Sequence, residues 1–250
     1  MNVVLLDFTG ANAPDPARYA AEILVYAKNT RLTQGEELRT KIQAMSEEEV
    51  NAELSAIIMS VRSSWEFVDY TFQIIGVTRA FTHQLVRTRT ASYAQQAMRV
   101  ADMADFEALM PQSIEEARKT DVWNGLMRHI REAYKEFREA DIPAQDARAI
   151  LPTNVLTNII VKMNLRTLAD LVGKRDNLRA QDEYQQVIRE MTAYVLEVHP
   201  WAEGFLYPER THTPALNDLL REQLGSASPV DKPKLNQALK ELDALKATWG

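Results

Sequence analysis

Phe67-Val-Asp-Tyr-Thr-Phe-Gln-Ile-Ile-Gly-Val77, followed directly by Thr78-Arg-Ala-Phe-Thr-His-Gln-Leu-Val-Arg87, is the stretch on which the fold turns. Its first half is dense in Val, Tyr, Thr, Phe and Ile, residues that suit a pleated, half-buried surface, and predicts a strand ending near Gly76. Its second half spaces apolar residues for a helix, about Thr78 to Arg87, with Phe81, Leu85 and Val86 on the buried face. Upstream, Val3 to Leu6 is a short β-type run. The Asn, Pro and Asp after it read as a turn into a helix near Pro16 to Lys28. Ser46 to Glu49 has the S-x-x-E form of a capping box and opens a helix towards Arg62. Downstream, Ser113 to Ala140 is helical in composition. Asn154 to Gly173 carries apolar residues at helical spacing (Leu156, Ile159, Ile160, Met163, Leu168, Leu171), and Ala180 to Val198 fits a helix stopped by Pro200. Helix signals dominate, strand signals are too few for a Rossmann sheet, and there are no internal repeats.

The chain beyond Pro208 changes character. Ser226 to Pro233 is a Ser/Pro-rich break, and Leu235 to Trp249 reads as a short amphipathic helix. Residues 209–250 hold six basic and six acidic residues, so this segment is no nucleic-acid arm. The expected organisation is a catalytic domain over 1–208 and a C-terminal helical extension over 209–250. The 250 residues suffice for a sizeable core, and 46% hydrophobic with 26% charged residues excludes disordered and fibrous classes. A net charge of −6 argues against nonspecific nucleic-acid binding. No apolar run approaches the roughly 20 residues of a membrane helix, and the start MNVVLLDFTG lacks the form of a signal peptide. The expectation is a cytoplasmic protein with neither nucleic acid nor membrane as partner. Zero cysteines exclude disulfides, thiolate metal sites and a cysteine nucleophile.

Charge is distributed unevenly. From Tyr70 to Ala101 there is no Asp or Glu, yet Arg79, Arg87, Arg89 and Arg99 all fall there. Such a window is either a basic face paired with acids elsewhere in the fold or a site for carboxylate or phosphate, which guanidinium forks bind bidentately. Thr90, Ser92, Gln95 and Gln96 beside the arginines favour the second reading. A later cluster comprises Arg148, Asn164, Arg166, Asp170, Arg175, Arg179 and Gln181. Together the clusters point to a polyanionic ligand, such as a nucleotide plus a dinucleotide cofactor. The four histidines (His83, His129, His199, His212) lack metal spacing, and His83 is expected to be a structural hydrogen-bonding residue. No G-x-x-x-x-G-K-[ST] or G-x-G-x-x-G run occurs, so side chains must build any phosphate site.

At these clusters the sequence resembles the flavin-dependent thymidylate synthase (ThyX) family. The family hallmark R-H-R-x-x-S-x-N-E-x-S-x-R-Y, with a Gln three residues ahead, is matched by Gln84 and by Arg87-Thr-Arg89-Thr-Ala-Ser92-Tyr-Ala-Gln95-Gln-Ala97-Met-Arg99-Val100. The later family block appears as Leu151-Pro152, Asn164-Leu-Arg166-Thr-Leu168 and Arg175 with Ala180-Gln181-Asp-Glu183. Several positions depart. Thr88 replaces the hallmark His, Ala94-Gln95 the Asn-Glu pair, Ala97 the Ser and Val100 the Tyr. Phe67 replaces a His after Glu66, and Arg179 stands where many members carry a His.

The resemblance implies an α+β fold, helix-rich with a small central sheet, assembled as a homotetramer whose sites combine several subunits. It implies that Gln84, Arg87, Arg99 and Arg148 bind the phosphate and sugar of a pyrimidine nucleotide, with Gln95 and Ala97 near the base. Arg175 would contact the pyrimidine carbonyl edge and stabilise charge developing there. Thr88, Arg89, Asn164, Arg166, Asp170 and Arg179 would line the FAD site. The implied activity is methyl transfer from methylenetetrahydrofolate to carbon 5 of dUMP, or of UMP or dCMP in a divergent relative, with FAD reduced by NADPH. No enzymatic nucleophile is needed, which suits a chain without cysteine. Two other readings stand beside it: a pyrimidine-nucleotide 5-hydroxymethylase, and a non-catalytic flavin- or nucleotide-binding homologue.

Overall fold

Two adjacent antiparallel strands, each running straight into a helix, organise the molecule in a computed structural model. It describes residues 1–31, 35–60, 62–176, 181–208, 220, 222–224 and 231–246. Strand β1 (Asn2–Phe8), β2 (Asp69–Thr78), β3 (Ser92–Gln95) and β4 (Leu156–Asn164) form one antiparallel sheet in the order β1-β2-β4-β3. β2 continues into α4 (Arg79–Leu85) and β4 into α8 (Leu165–Arg175). Because β2 and β4 pair Asp69 with Asn164 and Thr78 with Leu156, the two helices leave opposite ends of the sheet.

Alternation along the strands decides what is buried. Tyr70, Phe72 and Ile74 of β2 face inward with Ile159, Val161 and Met163 of β4 and Val3 of β1. They meet α1 (Pro16–Asn29), α3 (Glu47–Ile58), α8 and α9 (Asp182–Val198) in the main core. The other sheet face stays open: Asn158, Ile160 and Lys162 of β4 are exposed. Asn154 to Gly173 is therefore not a single helix. Leu156, Ile159, Ile160 and Met163 fit helical spacing, but the buried set is Thr157, Ile159, Val161 and Met163, a period of two imposed by pairing with β2. Val86, expected inside, lies exposed after α4 ends.

Elsewhere the sequence reads through. Asp15 caps α1, with Pro16 in its first turn, and Ser46 and Glu49 form the full capping box of α3. The 113–140 segment breaks into α5 (Gln112–Glu116) and α6 (Thr120–Glu139), with Arg118 left-handed (φ 54°) between them. Helix α6 buries Met127 and Tyr134 against Met103, Phe106 and Val155, a second small core. Arg131 fastens it by donating to the Phe106 carbonyl at 2.9 Å. This mini-core carries α7 (Ala144–Ala147) and the 3-10 turn Arg148–Ile150, and so presents Arg148. A short helix, α10 (Glu203–Leu206), closes the core, and α11 spans Lys232–Lys246; Trp249, read as the end of that helix, lies outside the described residues, as do residues 226–230. No described helix is long and apolar enough to cross a membrane.

Candidate active site

The end of β2 assembles the first half of the site. Thr78 caps α4, its Oγ1 accepting the Phe81 N–H at 3.0 Å. The Arg79 and Ala80 amides donate to the carbonyls of Val155 and Thr153, which lays the approach to β4 along the start of α4. Glu183, in the first turn of α9, accepts both Thr78 donors, the N–H at 2.7 Å and the hydroxyl at 2.6 Å. Gln181 sits beside it, 3.5 Å from Glu183, and accepts from Gln84 Nε2 at 3.0 Å. The Glu183 carboxylate is thus engaged with a helix cap.

That leaves positive charge uncompensated. Arg79 reaches the Gln96 carbonyl through Nη2 at 3.1 Å, while its buried Nε has no hydrogen-bond partner among the described residues. Burial holds the Arg79 guanidinium below its ordinary pKa, and the neighbouring Arg148 adds to the effect. Among the described residues Arg148 itself donates only to the Gln145 carbonyl. Arg87, Arg89 and Arg99 are exposed on the turns flanking β3. Among the described residues none of these arginines, nor Arg175, forms an ion pair. Gln95 donates from Nε2 to Thr82 Oγ1 at 2.8 Å, which fixes its side chain. Gly76, left-handed (φ 69°) at the β2 bulge, donates to Asn158, whose amide in turn reaches Gln96.

Helix α8 links this half to a second. Arg175, in its last turn, lies over the Tyr184 ring, Cζ 4.9 Å from the centroid, and Tyr184 packs on Phe81. Burial pushes the Tyr184 phenol up to about 12, against the pull of Arg175. At the other end of α8, about 16 Å away by helical rise, Asn164 caps the helix by accepting the Thr167 N–H at 2.9 Å. Thr167 Oγ1 donates to Thr90 Oγ1 at 3.0 Å, which docks the Thr88-Arg89-Thr90 turn beside this helix start. Arg166 pairs with Glu66, and Asp170 with Arg62 at 3.1 Å.

The sequence-derived candidates therefore fall into two neighbourhoods. Gln84, Gln95, Arg148 and Arg175 surround α4 and the start of α9, with Arg87, Ala97 and Arg99 on the exposed turns beside them. Thr88, Arg89, Asn164 and Arg166 gather at the start of α8, with Asp170 one turn along. Arg179 lies outside the described residues. Arg79, Glu183, Tyr93 and Tyr184 carry parts of the site that the sequence reading left without roles. Arg79 lay in the acid-free window and Glu183 in the A-Q-D-E block, so both had a signal. Tyr93, whose hydroxyl lies 2.9 Å from the Leu85 and Thr88 carbonyls, had none.

One expectation about another group changes. His83 is exposed without a partner among the described residues, and the structural histidine is His199, fully buried with Nδ1 2.9 Å from the Tyr70 hydroxyl. An apolar cleft of about 470 Å3 between α1 and α2 (Glu36–Gln43), lined by Tyr19, Ile23, Tyr26 and Phe67, includes no member of either arginine cluster. Among the described residues no group of acidic and histidine side chains is placed to hold a metal.

Comparison with known proteins bears on the same residues. The family model Thy1, thymidylate synthase complementing protein, matches residues 5–201. The chain is similar to a flavin-dependent thymidylate synthase of Geobacter sulfurreducens, 36% identical over 205 residues, covering 80% of this chain and 84% of the relative. Proteins of the same name from Sulfurisphaera tokodaii (34% over 203 residues, 80% and 75% covered) and Pyrococcus furiosus (39% over 163 residues, 63% and 67% covered) are also similar.

Proposed function

Because the chain belongs to the Thy1 family of thymidylate synthase complementing proteins, we propose that it methylates carbon 5 of a pyrimidine nucleotide, dUMP foremost, in a flavin-dependent reaction. The observation that carries the reading is the set of arginines without carboxylate partners beside a fixed amide, Gln95. A nucleotide monophosphate supplies the anion such arginines lack, and its base supplies the donors and acceptors for the amides.

Arg87, Arg99 and Arg148, with Gln84, hold phosphate and sugar in this reading. Arg79 adds positive potential next to Arg148. Gln95, tied through Nε2 to Thr82, keeps Oε1 as an acceptor for a base N–H, beside Ala97. Arg175 directs its donors at a base carbonyl and stabilises negative charge as it develops, the electrostatic role that contributes most where water is excluded. The donor set at the start of α8 suits FAD: Arg89 has no ion pair among the described residues, Arg166 has guanidinium nitrogens beyond the one on Glu66, and Asn164 and Thr88 add amide and hydroxyl groups. A helix N-terminus favours anions at the same place. Bound FAD supplies hydride chemistry that completes a methyl group, with NADPH as reductant and methylenetetrahydrofolate as carbon donor. The residues of this chain orient the partners and preorganise charge.

A homotetramer with sites completed across subunits accounts for arginines that lie exposed in one protomer, and a biosynthetic role is in keeping with a cytoplasmic location. Residues 209–250 form an extension outside the catalytic unit, in keeping with a family match that ends at 201. Deleting the extension is expected to leave turnover intact.

Mass spectrometry of dUMP, UMP and dCMP after incubation with the protein, FAD, NADPH and methylenetetrahydrofolate tests the proposal. A methyl mass gain on one nucleotide is expected and names the substrate. A hydroxymethyl gain replaces methylation with hydroxymethylation, and no change alongside retained flavin leaves a binding protein.

A further inference from the structure

We infer that Tyr184 is a positioning residue whose ring seats the Arg175 guanidinium for the base, an inference that rests on the methyl-transfer reading above. Tyr184 is only 1% exposed, with its ring packed on one neighbour and its backbone held in a helix turn. Phe81 of α4 packs on it, centroids 4.8 Å apart, and the backbone of Tyr184 donates to the Gln181 carbonyl at 2.8 Å in the first turn of α9. The adjacent Glu183 anchors that turn to Thr78. Arg175, by contrast, ends α8 and has no carboxylate partner among the described residues. The Tyr184 face is the fixed surface beneath it.

The kind of contact matters. A carboxylate would occupy the guanidinium edge and cancel its charge. An aromatic ring takes the flat face and leaves the in-plane N–H donors directed outward, with the charge intact. A phenolate would cancel that charge again, and burial keeps the phenol protonated. Among the described residues the hydroxyl has no partner at full hydrogen-bond geometry, yet Arg175 lies near enough to pull the phenol's pKa down, so Tyr184→Phe, which removes the oxygen and keeps the ring, separates the two.

The test replaces Tyr184 in the full chain with phenylalanine and with phenylalanines carrying one to four ring fluorines, which weaken the π-face while holding shape. Tyr184→Phe is expected to rescue kcat to within about twofold, and progressive fluorination to lower it steadily to about a tenth. KM for the nucleotide and flavin content stay level. In parallel, the Arg175 Nε–H proton, identified by its loss in Arg175→Ala, is followed by NMR. It is expected upfield in wild type and in Tyr184→Phe because it lies over a ring, and at the ordinary arginine position in Tyr184→Leu. An ordinary shift in wild type overturns the seat. A wild-type enzyme that turns over while kcat ignores fluorination overturns the positioning role. A wild type that turns over no nucleotide removes the methyl-transfer reading and the catalytic role with it, and the NMR shift still decides the seat.

Discussion

Arg18 and Arg87 show two uses of one side chain. Arg18, on α1, donates to Glu22 at 2.6 Å and to the carbonyls of Met45 (2.8 Å), Ile42 (3.2 Å) and Ser46 (3.4 Å), tying α1 to the end of α2. Arg87, on the turn after α4, is exposed and has no ion pair among the described residues. Arg79, Arg99 and Arg148 also lack carboxylate partners among the described residues. The difference teaches how to sort cations: where protein acceptors saturate a guanidinium it holds the fold, and where they are withheld it awaits an anion. The withholding is built in, since the acid-free window removes local partners and Glu183 is bound to Thr78.

Breaking the ligand side at Arg175 has the largest expected effect. Arg175→Ala lowers kcat about 100- to 1000-fold, the loss typical of one donor aimed at developing charge, while bound flavin, read from its absorbance, falls less than twofold. Equal loss of both would remove Arg175 from the reacting base. On the fold side, His199 gives the next effect. Burial holds its imidazole down to about 4 from 6.5, so the unfolded chain binds the proton more readily. Its contribution is complete above pH 6.5 and lost as pH falls towards 4. That amounts to about 3 kcal/mol, measured as the fall in urea stability that wild type shows and His199→Gln does not.

Arg18→Ala sharpens the contrast, because it strands the carbonyls of Ile42 and Met45. A destabilisation of about 2 kcal/mol, roughly 6 °C in Tm for a chain of this size, is expected by calorimetry with nucleotide affinity unchanged. The smallest effect belongs to Arg62→Ala. Its pair with Asp170 is about half exposed on both sides, so less than about 1 kcal/mol is expected in the same measurement.

How much of this was legible in the sequence follows from which forces are local. The strand at 67–77, the helix after it and the capped starts of α1 and α3 were readable, because propensity and capping act over a few residues. β4 was misread as helical, since Leu156, Ile159, Ile160 and Met163 fit helical spacing, and only pairing with β2 selects the alternating set Thr157, Ile159, Val161 and Met163. β3 was invisible: four residues become a strand because β4 lies beside them. The acid-free window announced the arginines of the site, and family motifs supplied expected roles. Tyr184 went unnoticed because its meaning lies in what it touches, Arg175 nine positions away and Phe81 on another helix.

The central claim, that unpaired arginines hold the nucleotide while paired ones hold the fold, is tested most directly by titrating dUMP into the Arg87→Ala/Arg148→Ala double variant and into Arg18→Ala, with Tm recorded for each. The account predicts that the double variant weakens binding at least tenfold and keeps its Tm, whereas Arg18→Ala keeps its affinity and loses Tm. Unchanged affinity in the double variant, or weakened dUMP binding in Arg18→Ala, would contradict it.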